Sequence, residues 1–218
     1  MRLESFRLIV FDLDGTLIDS RRDIAESANT LLETCGAAPL PEERVGRMVG
    51  DGAAVLVARA FAAAGIAAPP DALERFVAIY RERLLRHTRP YPRIPEVLGD
   101  LSQRAQLALL TNKPLAATKE ILDGLDLARF FGPAIVAGDG TFPRKPDPSG
   151  LLHLSRAAGV PPSDTVLVGD SMIDWRTARA ASTAICLARY GFGFENVSAA
   201  DLGPADWLVD APAELLSL

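Results

Sequence analysis

The stretch LIVFDLDGTLIDS, residues 8–20, runs four apolar residues straight into Asp12 and Asp14. Leu-Ile-Val-Phe is branched, aromatic and short, the pattern of a buried strand rather than a helix. One polar residue at the end of a strand is ordinary. Two carboxylates on alternate positions are not, because each raises the cost of ionising the other. Side chains two apart in a strand point the same way, so both acids are expected to face one crevice.

Working outward, short apolar runs that end in polar residues recur at 107–110, 134–136 and 165–168, with weaker ones at 183–187 and 207–209. Helix-like stretches separate them at 95–104, 115–125, 148–158 and 173–181. Strands spaced by helices predict βαβ units, a parallel sheet and right-handed crossovers. Residues 19–87 break this rhythm, because nothing there reads as a buried strand. Helices are predicted at 22–35, 42–49, 53–64 and 71–87, with apolar positions three and four apart, as in Ile24, Ala28, Leu31 and Leu32. Gly36, Gly50, Gly52, Gly65 and the Pro69-Pro70 pair supply the breaks. The proline-rich segment 88–95 then reads as a stiff return linker. The expected fold is α/β: a Rossmann-like parallel sheet core from residues 1–18 and 92–218, with an inserted α-helical cap over 19–91.

With 218 residues, 49% of them apolar and 23% charged, the chain is an ordinary globular one, large enough to bury a full core. Its net charge of −5 argues against nucleic acid and against an anionic membrane surface as partners. No apolar run approaches a membrane helix or the hydrophobic segment of a signal peptide. Cys35 and Cys186 lie far apart with no metal-type spacing and read as small hydrophobes in a reducing compartment. The expected address is cytoplasmic and the expected partner a small molecule. Monomer and homodimer both stay open.

Ligands of an open parallel sheet bind outside the carboxyl ends of its strands. The first predicted strand delivers Asp12, Asp14, Gly15 and Thr16, and the one ending at Leu110 delivers Thr111, Asn112 and Lys113. The loop after Val136 leads to Lys145 in RKPDP, and the strand ending at Val168 delivers Gly169, Asp170, Ser171 and Asp174. Four loops thus bring carboxylates, a hydroxyl and a lysine to one place.

FDLDGTLIDS, LLTNK, RKPDP and VGDSMIDW resemble, in order, the four motifs of the haloacid dehalogenase superfamily of phosphatases. A helical insert directly after the first strand is similar to the phosphoglycolate phosphatase-like branch. The resemblance covers essentially the whole chain. It implies that Asp12 is the nucleophile and Asp14 the general acid and base. Thr111 and Lys145 would complete the catalytic set, with Gly15, Thr111, Asn112 and Lys145 around the phosphate. It implies a metal held by the Asp12 side chain, the Asp14 carbonyl and Asp170, with Asp174 behind them or as an occasional ligand. The chemistry of the residues agrees on the metal. Clustered carboxylates need a neutralising charge, an all-oxygen set suits Mg2+, and the chain has no cysteine–histidine cluster for zinc. Specificity would sit in the cap, on Arg47, Gly50, Asp51 and Gly52, with Arg21 and Arg22 on the hinge side.

Asp14 argues against dehalogenases of the superfamily, which lack the second aspartate. No lysine occurs before Lys113, which removes a cap lysine of the kind phosphonate hydrolases use. Sugar-phosphate mutases commonly have Asp-Gly-Val where this chain has Asp14-Gly15-Thr16, a modest discriminator. A non-enzymatic descendant is disfavoured because all four motifs are intact. The expected function is a Mg2+-dependent phosphomonoesterase acting through an aspartyl-phosphate, with phosphoglycolate the first candidate substrate. A mutase, a pyrophosphatase or nucleotidase, and a pathway-specific phosphatase are the alternatives. Pro92-Arg93, where the family often has Pro-Gly, puts the linker conformation in question.

Overall fold

The structure, a computed structural model, describes residues 6–216. Strands β1 (Leu8–Phe11), β4 (Gln106–Leu110), β5 (Ile135–Val136), β6 (Thr165–Gly169), β7 (Ala184–Ala188) and β8 (Trp207–Val209) form one sheet in the order β5-β4-β1-β6-β7-β8. Every pairing in it is parallel, with Phe11 registered against Leu109 on one side and Val168 on the other. β1 is therefore the central strand. Its side chains alternate between two hydrophobic clusters: Ile9 and Phe11 enter one, Leu8 and Val10 the other. Helices α5 (Ile94–Ser102) and α6 (Leu115–Gly124) pack on the first face, and α7 (Ser149–Ala157) and α8 (Met172–Ala181) on the second. This three-layer α/β arrangement is the expected fold class.

The interval between β1 and β4 holds α1 (Arg21–Thr34), α2 (Glu42–Gly46), α3 (Ala53–Ala64) and α4 (Ala72–Arg81). Two elements there have no counterpart in the sequence reading. Strands β2 (Ile18–Asp19) and β3 (Arg89–Pro90) pair antiparallel, strapping the start of the insert to its end. The buried carboxylate of Asp23, in the first turn of α1, reinforces the strap by accepting from His87 N, Thr88 N and Thr88 Oγ1 at 2.7–3.1 Å. Those bonds also explain why the helix expected over 71–87 stops at Arg81. Beyond it the backbone tightens, with Arg83 N reaching Tyr80 O and Arg86 N reaching Arg83 O, before His87 N turns to Asp23. The helix expected over 42–49 likewise ends at Gly46, and Met48 N and Val49 N make three-residue turns instead. At the return corner Arg93 adopts φ 67°, so the glycine-type backbone is kept without the glycine. Among the described residues no helix is long and apolar enough to cross a membrane.

Candidate active site

β1 ends where the chemistry begins. Asp12 N donates to Val168 O at 2.9 Å, tying the first carboxylate to the neighbouring strand. The chain then turns sharply, with Thr16, Leu17 and Ile18 all donating backbone N–H to Leu13 O. Gly15 sits in that turn at φ +87°, and a Cβ there would lie 1.9 Å from Asp170 Oδ2. Glycine is required both by the backbone angle and by the approach of Asp170.

Lys145 Nζ lies 2.7 Å from Asp12 Oδ1 and 2.6 Å from Asp174 Oδ1, all three side chains being buried. Burial works against the lysine charge, but the two carboxylates outweigh it and hold its pKa above the usual value. Burial raises the Asp12 carboxyl to about 7, assisted by Asp174 and Asp14 and opposed by Lys145. Burial also lifts Asp170 well above its ordinary value, with Asp12 and Asp174 adding to the effect. Asp170 Oδ2 accepts from Gly193 N at 2.7 Å. Asp174 forms a capping box with Ser171 at the start of α8 and accepts from Ser171 Oγ through Oδ2 at 2.6 Å.

Asp14 is held differently. Lys113 Nζ lies 2.8 Å from each of its carboxylate oxygens, and Ser20 Oγ donates to Oδ1 at 2.5 Å. The Lys113 ammonium also lies 4.9 Å from the ring centroid of Tyr80, on α4. Burial lowers the affinity of Lys113 for its proton, but Asp14 more than restores it. Thr111 is buried at the end of β4, and its hydroxyl accepts from Lys113 N at 3.2 Å. Asp12, Asp14, Thr111, Lys145 and Asp170 all line one cavity of about 260 Å3 between the strand ends and the inserted helices.

The sequence profile of the haloacid dehalogenase-like hydrolases matches residues 9–188. The chain belongs to that family. This hydrolase is 39% identical to the phosphoglycolate phosphatase of Chromobacterium violaceum, over 100% of this chain and 98% of that one. It is also 39% identical to the phosphoglycolate phosphatase of Rhodospirillum rubrum, covering 88% of this chain and 83% of the relative. A crystal structure from Haemophilus somnus, described as a predicted phosphoglycolate phosphatase, superposes with a TM-score of 0.90 at 32% identity, covering 98% and 97% of the two chains. The hydrolase is thus of the phosphatase kind.

The donor set fits a hard divalent cation. Asp12, Asp170 and Asp174 each place one carboxylate oxygen within 4.8 Å of the others. Lys145 takes one oxygen of Asp12, and Gly193 N takes one of Asp170. One oxygen on each of those two residues is left without a protein partner among the described residues. Oxygen-only donors at this spacing suit Mg2+.

Two expectations, those for Arg47 and Asp51, need correction, and those for Asp174 and Asn112 gain detail. Both Asp174 oxygens have protein partners, Lys145 and Ser171, which agrees with the expected place of this residue behind Asp12 and Asp170. Asn112 lines the cavity, and its side chain is held by backbone groups. Its Oδ1 accepts from Lys145 N, and its Nδ2 donates to Lys145 O and to Gly50 O. Gly50 and Gly52 line the cavity, but Arg47 and Asp51 do not. Arg47 pairs with Glu195 at 2.7 Å, and Asp51 with Arg59 at 2.6 Å.

Sequence reasoning missed the roles of Lys113, Ser20 and the loop Gly191-Phe192-Gly193. A Cβ at Gly191 would lie 2.2 Å from Gly15 O and 2.3 Å from Asp170 Cβ, so the loop closes directly over Asp170. A Gly-x-Gly just after a predicted strand was a legible signal for it. Thr111 does not cap the helix that follows it. That cap comes from Asp139, whose Oδ1 accepts from Leu115 N at 2.7 Å.

Proposed function

We propose that this hydrolase is a Mg2+-dependent phosphomonoesterase that passes the phosphoryl group through Asp12. The observation that carries the reading is the convergence of Asp12, Asp14, Thr111, Lys145 and Asp170 on one cavity. An Asp12 carboxylate oxygen attacks phosphorus as the ester P–O bond breaks, and the departing oxygen takes a proton from Asp14. Water then attacks the aspartyl-phosphate while Asp14 accepts its proton. Inorganic phosphate leaves and the Asp12 carboxylate is regenerated. Lys145 fixes the rotation of Asp12 through Oδ1 and, with the Thr111 hydroxyl, is placed to hold the phosphoryl oxygens, where the transition-state charge lies. When bound, Mg2+ would be held by the open oxygens of Asp12 and Asp170, with the Asp14 carbonyl, and would supply positive charge opposite the phosphoryl group.

Residues 19–91 act in this reading as a cap over the core of residues 1–18 and 92–218. Contacts between the two segments support it: Arg47 on Glu195, Asn196 Nδ2 on Arg47 O, and Asn112 Nδ2 on Gly50 O. Such closure keeps water from the first transfer. Phosphoglycolate, the substrate in the relatives' names, heads the candidates. The test is phosphate release from para-nitrophenyl phosphate by the wild type and by Asp12→Asn. The variant is expected to lose more than about 10^4-fold in kcat while keeping its circular dichroism. Near-normal turnover in Asp12→Asn would remove the covalent step.

A further inference from the structure

The wall of the cavity opposite the carboxylates is apolar. Val49, Leu56, Phe76, Val77, Tyr80 and Leu84, all from the insert, line it. Phe76 and Tyr80, both buried, stack with ring centroids 5.8 Å apart at 12°. Val77, next to Phe76 on α4, is 44% exposed and is one of only a few large apolar side chains so exposed among the described residues. Protein interiors rarely leave an apolar space of this size unfilled, and an exposed apolar surface beside a reactive centre marks a ligand's place.

The charges around the cavity offer little to a second anionic group on the substrate. Lys145 is taken by Asp12 and Asp174, and Lys113 by both oxygens of Asp14. Arg81 and Glu120, which also line the cavity, are exposed and of opposite sign. Of the cations that line the cavity, Arg81 alone has no carboxylate partner among the described residues, and it is exposed, where pairing with an anion is worth little.

We infer that the leaving group is an apolar alcohol, so that the preferred substrate is the monophosphate of an alkyl or arylalkyl alcohol larger than glycolate. The inference rests on the phosphomonoesterase reading for its chemistry and narrows the substrate. The reaction remains a hydrolysis: the ester P–O bond breaks, Asp14 protonates the alkoxide, and water supplies the oxygen of inorganic phosphate. The apolar wall takes the alkyl chain out of water as the bond is cleaved.

The experiment measures kcat/KM for the full chain with Mg2+ on methyl, butyl, hexyl and benzyl phosphate, on phosphoglycolate, and on para-nitrophenyl phosphate. Unactivated alkyl phosphates have closely matched leaving groups, so chain length reports burial. Each methylene taken out of water is expected to raise kcat/KM roughly threefold, giving about 10^2-fold from methyl to hexyl. Phosphoglycolate is expected to fall below butyl phosphate. Val77→Asp changes a half-exposed side chain and puts a charge in the wall. It is expected to cut the hexyl-to-methyl ratio to a few-fold, with its melting temperature confirming the fold. A flat series with phosphoglycolate the best substrate overturns the inference and leaves the phosphatase reading standing. Absence of phosphate release from every ester, para-nitrophenyl phosphate included, overturns both.

Discussion

Lys113 Nζ lies 2.8 Å from both carboxylate oxygens of Asp14, a bidentate grip between residues 99 apart in sequence. The proposed acid and base is therefore anchored by a buried cation that itself rests on the Tyr80 ring of the insert. To donate a proton Asp14 must loosen from Lys113, so the pair couples acid–base chemistry to the position of α4. The same contact explains why Lys113 is not available to substrate.

Replacing Lys113 by methionine keeps the aliphatic stem and removes the charge. Asp14 then keeps only Ser20 as an anchor. We expect kcat to fall by about 10–10^2-fold with KM changed less, as for loss of a group that positions an acid–base residue. Steady-state kinetics on one alkyl phosphate give the split. A variant raising KM with kcat intact would place Lys113 on the substrate instead.

Metal binding should register in stability. Buried Asp12 and Asp170 carry raised proton affinities because burial and mutual repulsion disfavour their charges. A cation bound by the folded protein alone adds about 2.7 kcal/mol at one hundred times its dissociation constant. For a chain of this length that is a rise of roughly 5–10 °C in melting temperature. Asp170→Asn should melt higher than the wild type in EDTA, having lost a buried like charge, and should gain little from Mg2+. Melting curves with and without Mg2+ decide the matter: equal shifts in both proteins would place the cation elsewhere.

The sheet was legible because its strands are short, continuous apolar runs with polar ends. Phe11, Leu110 and Gly169 end three strands, and Asp12, Thr111 and Asp170 follow them directly. The strap of Ile18–Asp19 against Arg89–Pro90 was not legible, since two-residue strands carry no periodicity. Partners were harder still. Asp174 reads as one more acid in a motif, and only the fold shows Lys145 and Ser171 taking both of its oxygens. Arg47 looked like a substrate reader because a glycine-rich loop follows it. Its true partner, Glu195, lies 148 residues away in a segment whose sequence gave no hint of proximity.

Glu26 offers a test by pH. Hydrogen bonds from Arg22 and then Arg83 pull its carboxyl down to about 2 from an ordinary 4.5, joining α1 to the end of the insert. A carboxyl with a lowered folded-state pKa contributes stability that is complete above 4.5 and disappears as pH falls toward 2. The group is still largely wet, so the contribution is discounted to roughly 0.5–1 kcal/mol. Glu26→Gln should cost that amount at neutral pH, and the gap from wild type should narrow below pH 4.5. Urea unfolding at several pH values measures it. A gap that widens in acid would contradict the assignment.

Arg93 carries backbone strain that the sequence itself announces. It opens α5 at φ 67° and ψ 9°, in the left-handed region where a Cβ crowds the following carbonyl, at a cost of about 1–2 kcal/mol for a non-glycine residue. Ile94 behind it is fully buried and Pro95 restricts the start of the helix, so the corner cannot relax into another conformation. Arg93→Gly removes the Cβ and should stabilise the fold by roughly 0.5–1 kcal/mol, the unfolded chain's added freedom offsetting part of the gain. The urea midpoint should rise with an unchanged slope. Destabilisation would mean that the arginine side chain contributes more to the corner than its backbone costs.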